Sequence, residues 1–193
     1  MALYLIGIGL SDEKDITVKG VEIVRSCDIV YLEYYTSLLQ CSVRDLEKFY
    51  QKKIIVAHRE MMEQGAEKIV QEALQKEVAV LIIGDPFSAT THVELYRLAK
   101  ERNVSIQVVH NASILTAVGM TGLQLYKFGP VTSIPFFEEY VPVTTPYDVL
   151  EKNMKNGTHT LLLLDLDPSR ERFMTVNDAL EILEKIERQE QRG

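Results

Sequence analysis

Tryptophan is absent, cysteine occurs twice, and no apolar stretch is long enough to cross a bilayer. Each absence removes a class of protein. Cys27 and Cys41 belong to no Cys-x-x-Cys pair, so neither a disulfide framework nor a zinc site is indicated and both read as buried or idle thiols. The opening Met-Ala-Leu-Tyr-Leu-Ile-Gly enters a strand pattern without a basic leader, and the expected location is cytoplasmic. Positive charge is also scarce. Lys and Arg total 21 against 28 Asp and Glu, for a formal net charge of −7, and the basic spots Lys52-Lys53 and Arg170 to Arg172 are short. Coating nucleic acid needs clustered Lys and Arg, so neither direct nucleic-acid binding nor membrane binding is expected. No Gly-x-x-x-x-Gly-Lys-Ser/Thr phosphate loop and no Gly-x-Ser-x-Gly elbow occurs, and His58, His92, His110 and His159 lack the close spacing of a metal-binding helix.

What is present is an alternation of periods. With 46% hydrophobic and 25% charged residues, the 193-residue chain has the profile of a globular protein that buries a sizeable core. Apolar runs of strand length occur at Leu3–Ile8, Ile29–Leu32, Ile54–Ala57, Val78–Ile83 and Ile106–Val109. Between them lie helical patterns at Val18–Arg25 (capped by Thr17), Ser42–Tyr50, Glu60–Lys76 and Thr91–Arg102, and a further helix is expected over Ser113–Leu125. Such alternation predicts an α/β fold with a mostly parallel sheet flanked by helices, because parallel crossovers need intervening helices. The character changes at Lys127-Phe128-Gly129-Pro130, where a proline-punctuated stretch begins (Pro130, Pro135, Pro142, Pro146). A helix at Tyr147–Lys155, a strand at Thr160–Leu164 and a helix at Val176–Gln191 follow. The expected division is 1–129 for an amino-terminal α/β domain and 130–193 for part of a second, smaller one.

In open α/β sheets, ligands bind beyond the carboxyl ends of the strands. Gly84-Asp85-Pro86 stands at such an end: the proline biases Asp85 away from helix and the glycine lets a ligand approach. Two readings of Asp85 stay open, a ligand-holding carboxylate and a cap for the following turn. The first strand ends in Gly7-Ile8-Gly9-Leu10-Ser11-Asp12, which begins like a dinucleotide fingerprint but has Asp12 in place of the third glycine, so a bound pyrophosphate is poorly supported. Ser113, after the fifth strand, reads equally as an N-cap. These strand ends offer small and polar groups without a nucleophile, metal or phosphate cradle. Methyl transfer from a sulfonium needs alignment more than acid–base machinery, and suits such a site.

The segments YLIGIGLSDEKDITVKG, YLEYYTS, IGDPFSATTH, HNASILTAVGMTGLQLYKFG and GTHTLLLLDL resemble the diphthine synthase family, within the tetrapyrrole-methylase-like class of S-adenosylmethionine-dependent methyltransferases. The similarity runs through essentially the whole chain. It implies a two-domain enzyme, usually a homodimer, that binds S-adenosyl-L-methionine, releases S-adenosyl-L-homocysteine, and repeatedly methylates the aminocarboxypropyl group on one histidine of translation elongation factor 2. Donor contacts carried over from the family fall on Leu10, Asp85, Ser113, Ile114 and Leu164, with Ser88 as a backbone contact. On that basis Asp85 holds the donor, and its loss is expected to weaken donor binding with little effect on stability.

Two departures accompany the resemblance. Related chains continue beyond Gln189–Gly193, so the second domain is expected to be truncated here. HNASI is similar to the eukaryotic form of the family, whereas the short connection from Leu164 to Met174 is similar to the archaeal form. The balance favours the eukaryotic one. No catalytic base is assigned: Glu33, Tyr34 and Tyr35 lie near a strand end, but packing and surface placement are the preferred account of them, and solvent suffices as proton acceptor. Alternative functions are methylation of a tetrapyrrole or corrinoid precursor, or a non-catalytic module that holds the donor or the elongation factor.

Overall fold

The computed structural model describes residues 1–63, 65–88, 92–136 and 143–191. Thr91, where a helix is expected to begin, and Pro142 lie outside the described residues. The chain forms two compact units, Met1–Ala117 and Val118–Gly193. The first unit runs β1 (Ala2–Gly7), α1 (Val18–Ser26), β2 (Ile29–Glu33), α2 (Val43–Tyr50), β3 (Ile55–Ala57), α3 (Arg59–Glu63), α4 (Ala66–Ala73), β4 (Glu77–Ile82), α5 (Val93–Glu101), β5 (Ser105–Val109) and the single turn α6 (Ile114–Ala117).

Its five strands pair in the order β3-β2-β4-β1-β5, every pair parallel. Strands β1 and β4 are flanked on both sides and covered on both faces, which is why they read as continuous apolar runs. Alternate side chains serve opposite faces. Leu3, Leu5, Val78, Val80 and Ile82 pack with Ile69, Val70 and Ala73 of α4 and with Leu95 and Ala99 of α5. Ile6, Ile8, Ala79 and Leu81 pack with Val24 of α1 and with Leu46 and Tyr50 of α2. The chain therefore leaves β1 for one face and β4 for the other, and a switch point of this kind, at the carboxyl ends of adjacent strands, is where α/β sheets bind ligands.

Local signals set the helix limits. Thr17 accepts a hydrogen bond from the Gly20 N–H at the start of α1, and Ser42 and Asp45 form a reciprocal capping box on α2. The helix expected over Glu60–Lys76 is two helices. Gly65 donates its N–H to the Glu60 carbonyl, closing α3, and a Cβ there would stand 2.5 Å from the Met61 carbonyl oxygen. The helix expected over Ser113–Leu125 stops at Ala117 and gives way to 3-10 turns at Val118–Thr121 and Leu125–Lys127. Hydroxyls of Thr116 and Thr121 bond the carbonyls of Ser113 and Val118, and Gly122 is left-handed at φ 85°, both of which favour turns over helix.

In the second unit, β6 (Thr132–Ile134), α7 (Thr145–Lys155), β7 (Leu162–Leu164), β8 (Leu166–Asp167), a 3-10 turn, β9 (Arg172–Phe173) and α8 (Val176–Gln189) follow the opening turns. The unit begins before the expected division at 129/130, because Lys127–Pro130 already belongs to its pairing. His159 donates to the Lys127 carbonyl at 2.8 Å, and Gly129 donates to the His159 carbonyl at 2.9 Å. Strand β6 then pairs parallel with β7, while β8 and β9 form a small antiparallel hairpin. A compact core of Ile134, Met174, Ala179 and Leu183 holds the unit.

Leu5 lies fully buried at the centre of β1, registered with Val80 on one side and Val108 on the other. Leu5→Ala is expected to lower stability by about 2–5 kcal/mol in urea unfolding, whereas Met154→Ala, at an exposed position of α7, should stay within about 0.5 kcal/mol.

Candidate active site at the carboxyl ends of the parallel strands

The main-chain N–H of Ile8 bonds the Ile82 carbonyl at 2.9 Å, carrying the β1–β4 pairing beyond the end of β1. The two chains then meet through Gly9 and Gly84, which exchange hydrogen bonds of 3.4 and 2.7 Å. Both glycines are left-handed, at φ 81° and 84°. A Cβ built on Gly84 would stand 3.9 Å from the Leu10 Cδ2, the Ala112 carbonyl oxygen and the Ser113 Cα. Leu10 from the β1 end, Asp85 from the β4 end and Ser113 from the β5 end are thus gathered around a residue with no side chain.

Asp85 is only 6% exposed and its carboxylate is fully engaged. Oδ1 accepts from the Phe87 N–H at 2.9 Å and the Ser88 Oγ at 3.2 Å; Oδ2 accepts from the Asn111 N–H at 3.1 Å and lies 2.8 Å from His110 Nδ1. Burial opposes ionisation, but the bonds from Phe87, His110 and Asn111 outweigh it and hold the carboxyl below the usual carboxylate value. A carboxylate only accepts, so His110 presents its Nδ1 proton to it. Asp85 therefore caps the turn after β4 and ties that turn to the β5 end.

Ser113 is 4% exposed and caps α6. Its Oγ accepts from the Leu115 N–H at 3.2 Å, and its carbonyl accepts from the N–H groups of Thr116 and Ala117. Ile114, the next residue, is exposed. Ser88 donates its main-chain N–H to the Asp85 carbonyl at 3.3 Å, fixing its own place beside the turn. Leu164 belongs to the second unit, at the end of β7, where it packs against the core of that unit. Leu10, Asp85, Ser88, Ser113 and Ile114 thus occupy one sheet edge of the first unit, with Leu164 described within its own unit.

The β2 end carries a second buried acid. Glu33, wholly inaccessible, accepts from the N–H groups of Tyr35 and Thr36 and from the Thr36 Oγ1, at 2.8–2.9 Å. The same edge holds His92, which sequence reasoning weighed only as a metal ligand. Its ring is 3% exposed and neither nitrogen has a hydrogen-bond partner. Burial pushes the imidazole below its usual value, and the Glu33 charge pulls in the opposite direction. An isolated histidine before an apolar helix face carries no signal of such a setting. Among the described residues no three His, Cys, Asp or Glu side chains converge in a way that could hold a metal ion.

Residues 2–192 match the Tetrapyrrole (Corrin/Porphyrin) Methylases. The chain belongs to that family. The diphthine methyl ester synthase of Dictyostelium discoideum is 46% identical over 97% of this chain and 75% of its own length. That of Homo sapiens is 46% identical over 99% of this chain and 73% of its own. A crystal structure of diphthine synthase superposes with a TM-score of 0.90 at 39% identity, covering 98% of this chain and 73% of that one. As a tetrapyrrole methylase the chain is a methyltransferase, with its parallel sheet and flanking helices in the family's arrangement.

Two measurements check the site's electrostatics. Asp85→Ala removes the shared acceptor of four part-buried hydrogen bonds, so it should lower stability at neutral pH by about 1–3 kcal/mol in urea unfolding, against the small effect expected from sequence. Because the folded value of Asp85 is depressed, its contribution is present above the unfolded carboxylate value and is lost as pH falls through the folded one; Asp85→Asn should flatten that acid limb. His92 has the opposite charge type and the same sign of slope. Neutral in the fold, it binds a proton more readily when unfolded, so thermal stability should decline as pH falls below about 6.5, and His92→Leu should remove that decline.

Proposed function

We propose that the protein is an S-adenosyl-L-methionine-dependent methyltransferase of diphthamide biosynthesis. It would methylate the aminocarboxypropyl group of the modified histidine of translation elongation factor 2, finishing with a methyl ester. Support comes from the identity of nearly half with diphthine methyl ester synthases over almost the whole chain, combined with the gathering of Leu10, Asp85 and Ser113 around Gly84. The observation that carries the reading is this last one: three strand ends meet around a residue that has no side chain.

When bound, the donor supplies an electrophilic methyl group on a positively charged sulfur. The chain's own residues supply position and charge. Gly84 leaves open the space bounded by Leu10, Ala112 and Ser113. Asp85, with both oxygens already accepting hydrogen bonds, acts on a ligand through its fixed negative charge, which favours a cationic donor over its neutral thioether product. Leu10 and Ile114 offer apolar contact, and Ser88 its main chain. Glu33 is inaccessible and fully occupied, so it takes no proton from a substrate; the amine of the acceptor loses its proton to solvent. The resemblance extends this reading to a homodimer acting in the cytoplasm, where the elongation factor is met.

The test pairs binding with transfer. S-adenosyl-L-homocysteine at about 100 times its dissociation constant should add roughly 2.7 kcal/mol of stability, seen as a rise of several degrees in the unfolding midpoint. Labelled S-adenosyl-L-methionine should then label elongation factor 2 carrying the aminocarboxypropyl group and leave unmodified factor unlabelled. Mass spectrometry of the peptide counts the methyl groups. Transfer to a corrinoid precursor instead would overturn the substrate, and a midpoint unmoved by the thioether would overturn the donor site.

A further inference from the structure

Between Gly9 and Thr17 the chain makes a loop whose shape is set by a side chain that its sequence marks only as surface charge. Asp15 Oδ2 accepts from two successive main-chain N–H groups, those of Leu10 at 3.1 Å and Ser11 at 2.7 Å. The approach is so close that a Cβ on Gly9 would collide with the Asp15 Cβ. The loop is then clamped from the other side. Asn111 donates one amide proton to the Asp15 carbonyl at 3.0 Å and the other to the Gly7 carbonyl at 3.0 Å, while its Oδ1 accepts from the Ala112 N–H at 2.7 Å. The Asn111 N–H in turn reaches Asp85. An unbroken run of hydrogen bonds thus joins Asp85 and the β5 end to the main chain of Leu10.

We propose that Asp15 is a positioning residue for the methyl donor: its carboxylate, braced through Asn111, fixes Leu10 opposite Gly84 and Ser113. The inference rests on the donor-site reading above. Asp12, in the same loop, has no such reach; its Oδ1 accepts only from the Lys14 N–H two residues on. Asp15 is itself exposed, so the bonds it makes shape one loop and contribute little to global stability. A loop left free to move must be ordered when the ligand binds, and that cost appears as lost affinity.

The experiment measures S-adenosyl-L-homocysteine affinity by calorimetry, with hydrogen exchange at the Leu10 and Ser11 amides, in wild type and in Asp15→Ala, Asp15→Asn, Asp15→Glu and Asp12→Ala. Asp15→Ala should bind about tenfold more weakly and lose protection at both amides, with its unfolding midpoint nearly unchanged. Asp15→Asn keeps an acceptor oxygen at the same reach and should bind within about twofold of wild type, as should Asp12→Ala. Asp15→Glu keeps the charge but lengthens the arm, and should be as weak as the alanine variant. The Asn and Glu pair carries the test if the alanine variant does not fold. Glu binding normally while Asn binds weakly would assign the effect to charge and overturn the proposal, as would wild-type affinity in a variant whose two amides have lost protection. If wild type itself binds no S-adenosyl-L-homocysteine, the donor reading fails and the positioning role falls with it. Weak binding confined to the Asp15 variants leaves that reading standing.

Discussion

The reciprocal hydrogen bonds between Gly9 and Gly84 govern the geometry of the whole strand edge. Two parallel strands normally separate where their crossovers leave for opposite faces. Here the chains stay joined beyond the last sheet pairing, and both joining residues are left-handed, a conformation that strains an L side chain. The bridge turns Leu10 and Asp85 away from the sheet at defined positions. It also leaves bare the surface that Ala112 and Ser113 approach. Replacing either glycine would alter the fold and the site together, since one backbone device serves both.

Around that bridge, negative charge is held in place by main-chain donors. Asp15, Asp85 and Glu33 each accept from backbone N–H groups, and the strand edge carries no cation bonded to Asp15 or Glu33 among the described residues. Carboxylates bound in this way are held in one place, which a flexible Lys–Asp pair on the surface does not provide. Their anchoring gives the edge a fixed field, suited to a positively charged ligand and unsuited to a pyrophosphate. The His92 ring lies at the same edge, with no hydrogen-bond partner for either nitrogen among the described residues.

The parallel sheet and its flanking helices were legible because β1 and β4 are apolar without interruption, and because the amphipathic stripes of α1, α2 and α5 carry their own caps or limits. Short elements were not. Strand β6 is three residues between prolines, and its partner β7 is far along the chain, so its existence depends on pairing that no local pattern announces. The break at Gly65 was overridden in the reading by an apolar stripe that continues across it. Leu10, Asp85 and Ser113 could be placed at strand ends from position alone. The capping of the turn after β4 was one of two readings the sequence left open for Asp85; its tie to His110 and Asn111 was not legible, because those residues are distant in sequence. Asp15 was missed although its partners are local, since a charged loop residue gives no sign that its carboxylate folds back onto two amides.

The carboxylate of Asp15 occupies two successive N–H groups after a glycine-rich strand end, a pair of donors of the kind that binds anions. It is a covalently tethered anion. Over so short a tether its effective concentration is on the order of millimolar or higher. Free nucleotides and inorganic phosphate must therefore compete with a resident ligand that never diffuses away. The two donors are in this way filled before any diffusible anion arrives.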